Sequence, residues 1–188
     1  STGNSTGNLY ETLSRGIHRI VDRWGKDTAH AVAVARRKGV EQIEQRVQKY
    51  NISCGFRRCP LYRYATSAGG KESVEKEYDG SLKAGLQVRF EDKLPPTFRP
   101  PHGRVMVLDN QAQFHPQAYV SEIARQAANL GSRIFENSTV LEVDTDKRVV
   151  RTANGRVTAK EVVFATHTPL GLHLVQAEMV VNREYGLA

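Results

Sequence analysis

The chain has 188 residues, 39% of them hydrophobic, and a formal net charge of +7. That length can bury one real core with a smaller attached lobe, and no apolar run reaches the roughly 18 residues a membrane-spanning helix requires. The positive charge is scattered, with Arg36, Arg37 and Lys38 as the longest cluster and Arg57 and Arg58 as another, and no RNA-binding aromatic motif accompanies it, which argues against a nucleic-acid partner.

The opening "STGNSTGN" lacks the basic and apolar regions of a signal peptide, so the expected compartment is the cytoplasm. The chain begins without Met and stops at "VVNREYGLA", which reads as a strand just starting, so the sequence is expected to be a fragment. Leu9, Leu13, Ile17, Ile20, Val21 and Trp24 recur at three- and four-residue steps, predicting a helix from about Thr6 to Arg23 that ends at Gly25. Asp27 can cap a second helix with Val40, Ile43, Val47 and Tyr50 on one face, and the two are expected to pack antiparallel.

Beyond Asn51 the pattern changes. Cys54 and Cys59 are too few for a disulfide framework and have no histidine pair at zinc-ligand spacing, so they are expected to be reduced, one or both half buried, with no metal site. "CGFRRC", "LYRYAT", "LQVRFED" and "RVMVLD" read as strands of a small mixed sheet. Between them, Glu72 to Ala84 is expected to be a helix broken or ended near Gly80, and Pro95, Pro96, Pro100 and Pro101 enforce an extended loop.

Pro116 suits the first turn of a helix carried by Tyr119, Val120, Ile123, Ala124, Ala127 and Leu130 and stopped at Gly131. The strand candidates "SRIFEN", "TVLEVDTD", "RVVRT" and "RVTAK" follow, with Ala153-Asn154-Gly155 as a hairpin turn in which Asn-Gly tolerates positive φ. The last run, "EVVFATH", is continuously apolar from Val162 to Ala165, as in a parallel strand buried on both faces.

Taken together, "STGNSTGNLYETLSRG", "DNQAQFHPQAYVSEIARQAANLGSRIFENSTVLEV" and "VVFATHTPLG" resemble the FAD-dependent oxidoreductases of the D-amino acid oxidase, glycine oxidase and sarcosine oxidase superfamily. Within it they are similar to the D-amino acid dehydrogenase-like and gamma-glutamylputrescine oxidoreductase-like groups, some of which carry a C-terminal Rieske iron–sulfur domain. The resemblance spans almost the whole chain. It implies an α/β fold, a partial FAD-binding Rossmann-like domain with a β-meander plus a mixed-sheet substrate lobe. Residues 1–50 would be the helices after a dinucleotide-binding βαβ unit that is missing here, as no G-x-G-x-x-G turn occurs. Residues 51–115 would be substrate lobe, 116–173 the second half of the FAD domain, and 174–188 the return into the substrate lobe.

The resemblance also implies roles. Thr2, Gly3, Ser5 and Thr6 would be flavin neighbours, in a run of hydroxyls and backbone N–H groups suited to phosphate or the flavin ring edge; by itself such a run is more often a loop with an N-cap. Relatives often have Lys where this chain has Asn8. Val140 would present its backbone to the adenine edge, or be a plain strand residue. Ala165, Thr166 and His167 match the small-residue turn that passes close to the cofactor, although many relatives have Gly at His167. His115 would lie at the seam between the lobes, where it can cap the helix, pack, or face the flavin. Tyr62 and Tyr64 share one face of a substrate-lobe strand with Arg63 on the other, lining a pocket or standing half exposed.

The activity implied is oxidation of an amine or amino acid by hydride transfer to FAD, with a small-molecule substrate and a homo-oligomer left open; the fragment alone would be inactive and bind FAD poorly. A non-catalytic binding or assembly module is the alternative, and a basic nucleic-acid-binding domain a third, distinguished by steep salt dependence.

Overall fold

Strand β4, Val105–Gln113, organises the first part of the chain. Its residues Val105 to Leu108 are buried on both faces, which requires strands on each side and cover above and below. β2, Arg57–Arg63, pairs with it along one edge. The other edge is shared by β3, Val88–Glu91, and by the two-residue β1, Asn8–Leu9. The β2–β4 register shifts between Cys59 and Leu61, and Pro60, which has no N–H to give a ladder, sits at that irregularity.

The computed structural model describes residues 2–96 and 101–166. It falls into two compact units, Ser1–Ala127 and Ala128–Ala188, and each is described by itself.

In the first unit, α1 (His18–Lys49) and α2 (Lys71–Lys83) pack together and contribute Ala29, Ala33 and Val74 to a core completed by Ile17 just before α1, Leu86 just before β3, and Val88, Met106 and Leu108 from the sheet. On α2 the buried positions Val74, Glu77, Ser81 and Ala84 follow helical spacing, so one face carries both apolar and polar groups inward. Tyr78 stacks on Phe90 at 3.9 Å between ring centroids, and the Arg104 guanidinium lies 3.8 Å from the Phe90 ring centre, which ties α2 to β3. α3, Pro116–Asn129, begins at Pro116 as expected, and the chain leaves it through Gly131.

The first expected helix is not formed from Thr6. Asn8 and Leu9 pair instead with Gln113 and Ala112, and helix begins only at His18. Hydrophobic steps of three and four fit a turn and a short strand as well, and strand pairing with β4 gives the backbone groups of Asn8 and Leu9 partners that an isolated helical turn would not. The stop expected at Gly25 is formed: φ of 82° and ψ of 168° are not helical, so α1 is two helical segments that meet at a kink there, in a conformation open to glycine. α2, by contrast, runs through Gly80 without the expected break.

The second unit holds the meander β5 (Val140–Asp144), β6 (Val149–Thr152) and β7 (Gly155–Thr158), paired in that order. The β6–β7 turn falls where expected, but its central residues are Ala153 and Asn154, with Thr152 opposite Gly155, and Asn154 does not adopt positive φ. "SRIFEN" and "EVVFAT" form no strand. Val163 is 86% exposed, and a parallel strand exists only where neighbours complete its ladder. Every strand pairing among the described residues is antiparallel, so the parallel component expected in the sheets is not formed there. The fold class is mixed α/β.

Candidate functional site

The 3-10 turn Thr2–Asn4 leads the chain over the junction between β4 and α3. Phe114 donates its N–H to the Gly7 carbonyl at 3.0 Å, and His115 donates its N–H to the Cys54 carbonyl at 2.7 Å, so three distant segments meet. Between them lies a cavity of about 470 Å³, walled on one side by Gly3, Ser5 and Thr6 and on the other by Arg57, Gln113 and His115.

Local chemistry sets this geometry. Gly7 has φ of 69°, and a Cβ built there would stand 2.1 Å from the Phe114 carbonyl oxygen. Only glycine lets the loop approach β4 so closely. Gly7→Ala is expected to cost about 1 to 3 kcal/mol of stability and to displace the Ser5–Thr6 wall, which thermal unfolding and the proton spectrum of the loop would register together. The Gly7 N–H donates to Ser5 Oγ, at 3.4 Å, leaving the Ser5 hydroxyl proton free to donate. His115 Nδ1 accepts the Ala118 N–H at 3.2 Å, an N-cap on α3, so in the neutral ring the proton sits on Nε2. Of the three roles open to His115, capping is realised, on a side chain that also borders the cavity.

Arg57 went unnoticed in the sequence as a site residue. With the Gln113 amide turned so that its oxygen faces the guanidinium, Arg57 Nε donates to it at 2.6 Å. Among the described residues that border the cavity, Arg57 is the one cation and there is no carboxylate. A larger cavity, about 930 Å³, opens near α1, β3 and β4, and there the arginines are matched by acids. Arg37 donates to Glu11, Arg58 to Glu44, and Arg89 to Glu91 and Asp109. Hydrogen bonds from Arg58 hold Glu44 below the usual carboxylate range.

The remaining expected residues do not converge on the same place. Tyr62 borders a separate cavity with Leu9, Tyr10 and Pro60, and Arg63 lies 3.9 Å from Glu77. Tyr64 follows the strand. Val140 opens β5 opposite Thr152, and Ala165 and Thr166 lie in an irregular stretch, all three in the second unit. His167 lies outside the described residues. Among the described residues no grouping of His, Cys, Asp and Glu could hold a metal ion, and no helix is long and apolar enough to cross a membrane. Cys54 is buried and Cys59 half buried, both as free thiols.

A second polar centre was also invisible in the sequence. Glu77 of α2 is 0% exposed, yet accepts from Thr12 Oγ1 at 2.6 Å, from the Ile17 and His18 N–H groups at 3.0 and 3.2 Å, and from His18 Nδ1 at 2.7 Å. It thus caps α1 from outside, placing an anion at the positive helix end. Burial pushes its carboxyl up, but the hydrogen bonds from Thr12, His18 and the Ile17 backbone outweigh that and hold it below its ordinary value.

Comparison with known proteins places these observations. The family model described as "DAO: FAD dependent oxidoreductase" matches residues 1–184. The chain is 29% identical over 178 residues to gamma-glutamylputrescine oxidoreductase of Escherichia coli (strain K12), covering 91% of this chain and 41% of that protein. It is 25% identical over 194 residues to YhfW of Bacillus subtilis (strain 168), a protein named for a Rieske 2Fe-2S iron-sulfur centre, covering 100% of this chain and 37% of that one. The chain therefore spans well under half the length of these relatives. A crystal structure of glycine oxidase from Geobacillus kaustophilus superposes with a TM-score of 0.64 at 18% identity, over 87% of this chain and 44% of that one, a likeness of fold.

Proposed function

Because the chain belongs to the DAO family of FAD-dependent oxidoreductases, we propose that it is part of an enzyme that oxidises an amine or amino acid at its C–N bond. The observation that carries this reading is the convergence of Gly3, Ser5, Thr6 and His115, singled out separately by resemblance, on one cavity with hydroxyl donors and no carboxylate. That donor set fits an anionic, hydrogen-bond-accepting cofactor such as FAD. Thr2, Gly3, Ser5 and Thr6 would hold it at this cavity, and by the resemblance alone Val140, Ala165 and Thr166 are proposed as further cofactor-binding residues.

The chemistry FAD supplies when bound is two-electron oxidation, taking a hydride from the carbon that bears nitrogen and leaving an imine that water hydrolyses. The protein's share is positioning. Ser5 offers its hydroxyl proton to an acceptor in the cavity, and Thr6 adds a second hydroxyl. His115, oriented by the Ala118 N–H, presents Nε2–H as a fixed donor and is not poised as a base through Nδ1. Tyr62 and Tyr64 belong to the substrate lobe, and the domain division at 1–50, 51–115, 116–173 and 174–188 is part of the same proposal, as are a cytoplasmic location and a homo-oligomer.

The test is anaerobic mixing of the full-length protein with a panel of amines and amino acids. Bleaching of the flavin absorbance by at least one of them, with a carbonyl product and released amine or ammonia, is the expected outcome. A protein that holds flavin and is bleached by hydroxy acids or by no amine would exclude C–N oxidation while leaving its family membership intact.

A further inference from the structure

Arg57 and Arg58 are neighbours on β2, and strand alternation sends them to opposite faces. Arg58 is fully committed: Nε and Nη2 donate to Glu44, and Nη1 donates to the Asn110 carbonyl at 2.5 Å. Arg57 has no carboxylate partner among the described residues and leans only on the neutral amide of Gln113. It borders the 470 Å³ cavity together with the Ser5 and Thr6 hydroxyls. In the larger cavity every bordering arginine is matched by Glu or Asp, whereas here a solvent-exposed guanidinium without a carboxylate partner among the described residues borders a concave space that also carries hydroxyl donors. A planar fork of N–H donors with spare charge matches a carboxylate or phosphate better than any neutral group.

We infer that Arg57 is the oxyanion-binding residue of this cavity, recognising either a phosphate of the cofactor or the carboxylate of the substrate. The inference rests on the proposed function only for the identity of those two sources; the excess of positive charge stands by itself. Gln113, the cross-strand partner of Arg57 on β4, is the orienting partner of the guanidinium.

The experiment is calorimetric titration of the full-length protein, freed of flavin, with pyrophosphate and separately with acetate, in wild type, Arg57→Met, Arg57→Lys and Arg58→Met. Circular dichroism melting checks that each variant is folded. Arg57→Met is expected to weaken at least one of the two anions by about tenfold or more, the loss of one charge-assisted hydrogen bond, with Arg57→Lys retaining part of the affinity and Arg58→Met retaining all of it. Loss confined to pyrophosphate assigns a phosphate, and loss confined to acetate a carboxylate. No binding of either anion by wild type, binding unchanged in a folded Arg57→Met, or equal loss in Arg58→Met would each overturn the inference. Because neither probe contains flavin, failure of the flavoenzyme reading would show separately, as a wild-type protein that takes up no FAD.

Discussion

Replacing Glu77 with alanine is expected to destabilise the protein by about 3 to 5 kcal/mol, the range for stripping one member from a buried ionic and hydrogen-bonded group. The reason lies in what is left behind. Thr12, the first N–H groups of α1 and the His18 ring would all lose their acceptor in a place closed to water. Glu77→Gln keeps the size but turns an NH2 group toward N–H donors, so it should fall between wild type and Glu77→Ala. The effect carries a pH signature. The carboxyl is held below its ordinary value of 4.5, so its contribution is complete above that pH and is lost as pH falls through the folded-state value. The gap between wild type and Glu77→Ala should therefore be widest near neutrality and narrow on acidification. Urea unfolding at a series of pH values measures it directly, and a pH-independent gap would remove the ionised carboxylate from the explanation.

Gly80→Ala should be destabilising, against the general rule for helices. In an ordinary helix interior the change gains about 1 kcal/mol. Here a Cβ on Gly80 would stand 2.5 Å from His18 Cα and 2.9 Å from His18 N, which are backbone atoms that cannot swing aside. α1 and α2 would have to separate, at a cost of about 1 to 3 kcal/mol as for other overpacked sites, and the Glu77 hydrogen bonds would lengthen with them. A lowered melting temperature for Gly80→Ala, beside a raised one for Gly39→Ala, whose Cβ would meet nothing within 4 Å inside α1, is the expected pattern. Equal effects at the two glycines would mean that helix propensity rather than interhelical contact governs.

How much of this was legible in the sequence depended on whether the partners were local. The helix at Pro116, the strand pair "RVVRT" and "RVTAK", and the runs that became β3 and β4 announce themselves by period and punctuation, because those signals are carried by the segment's own residues. The stretch from Thr6 to Ile17 was misread because its apolar spacing is ambiguous, and what decides it is strand pairing with residues about a hundred positions away. "EVVFAT" reads as a buried strand on composition, but a parallel strand is defined by neighbours, and composition does not supply them.

The site divides in the same way. Ser5, Thr6 and His115 were found through resemblance, and the fold brings them to one cavity. Glu77 looks like any helix-surface glutamate in "KESVEKEYDG"; only the arrival of Thr12 and His18, 65 and 59 residues earlier, makes it a buried cap. Arg57 and Arg58 are indistinguishable as letters. Their difference is a matter of which face of β2 has an acid to meet them, and Glu44 stands on one side only.

The flavin absorbance of the full-length protein after incubation with FAD and desalting tests the central claim most directly. Retained flavin bands in wild type, reduced or lost in Gly7→Ala, are expected if the loop over the β4–α3 junction forms part of the cofactor's site. A folded wild-type protein that retains no flavin would contradict the flavoenzyme reading, and would leave the cavity beside Arg57 to some other anion.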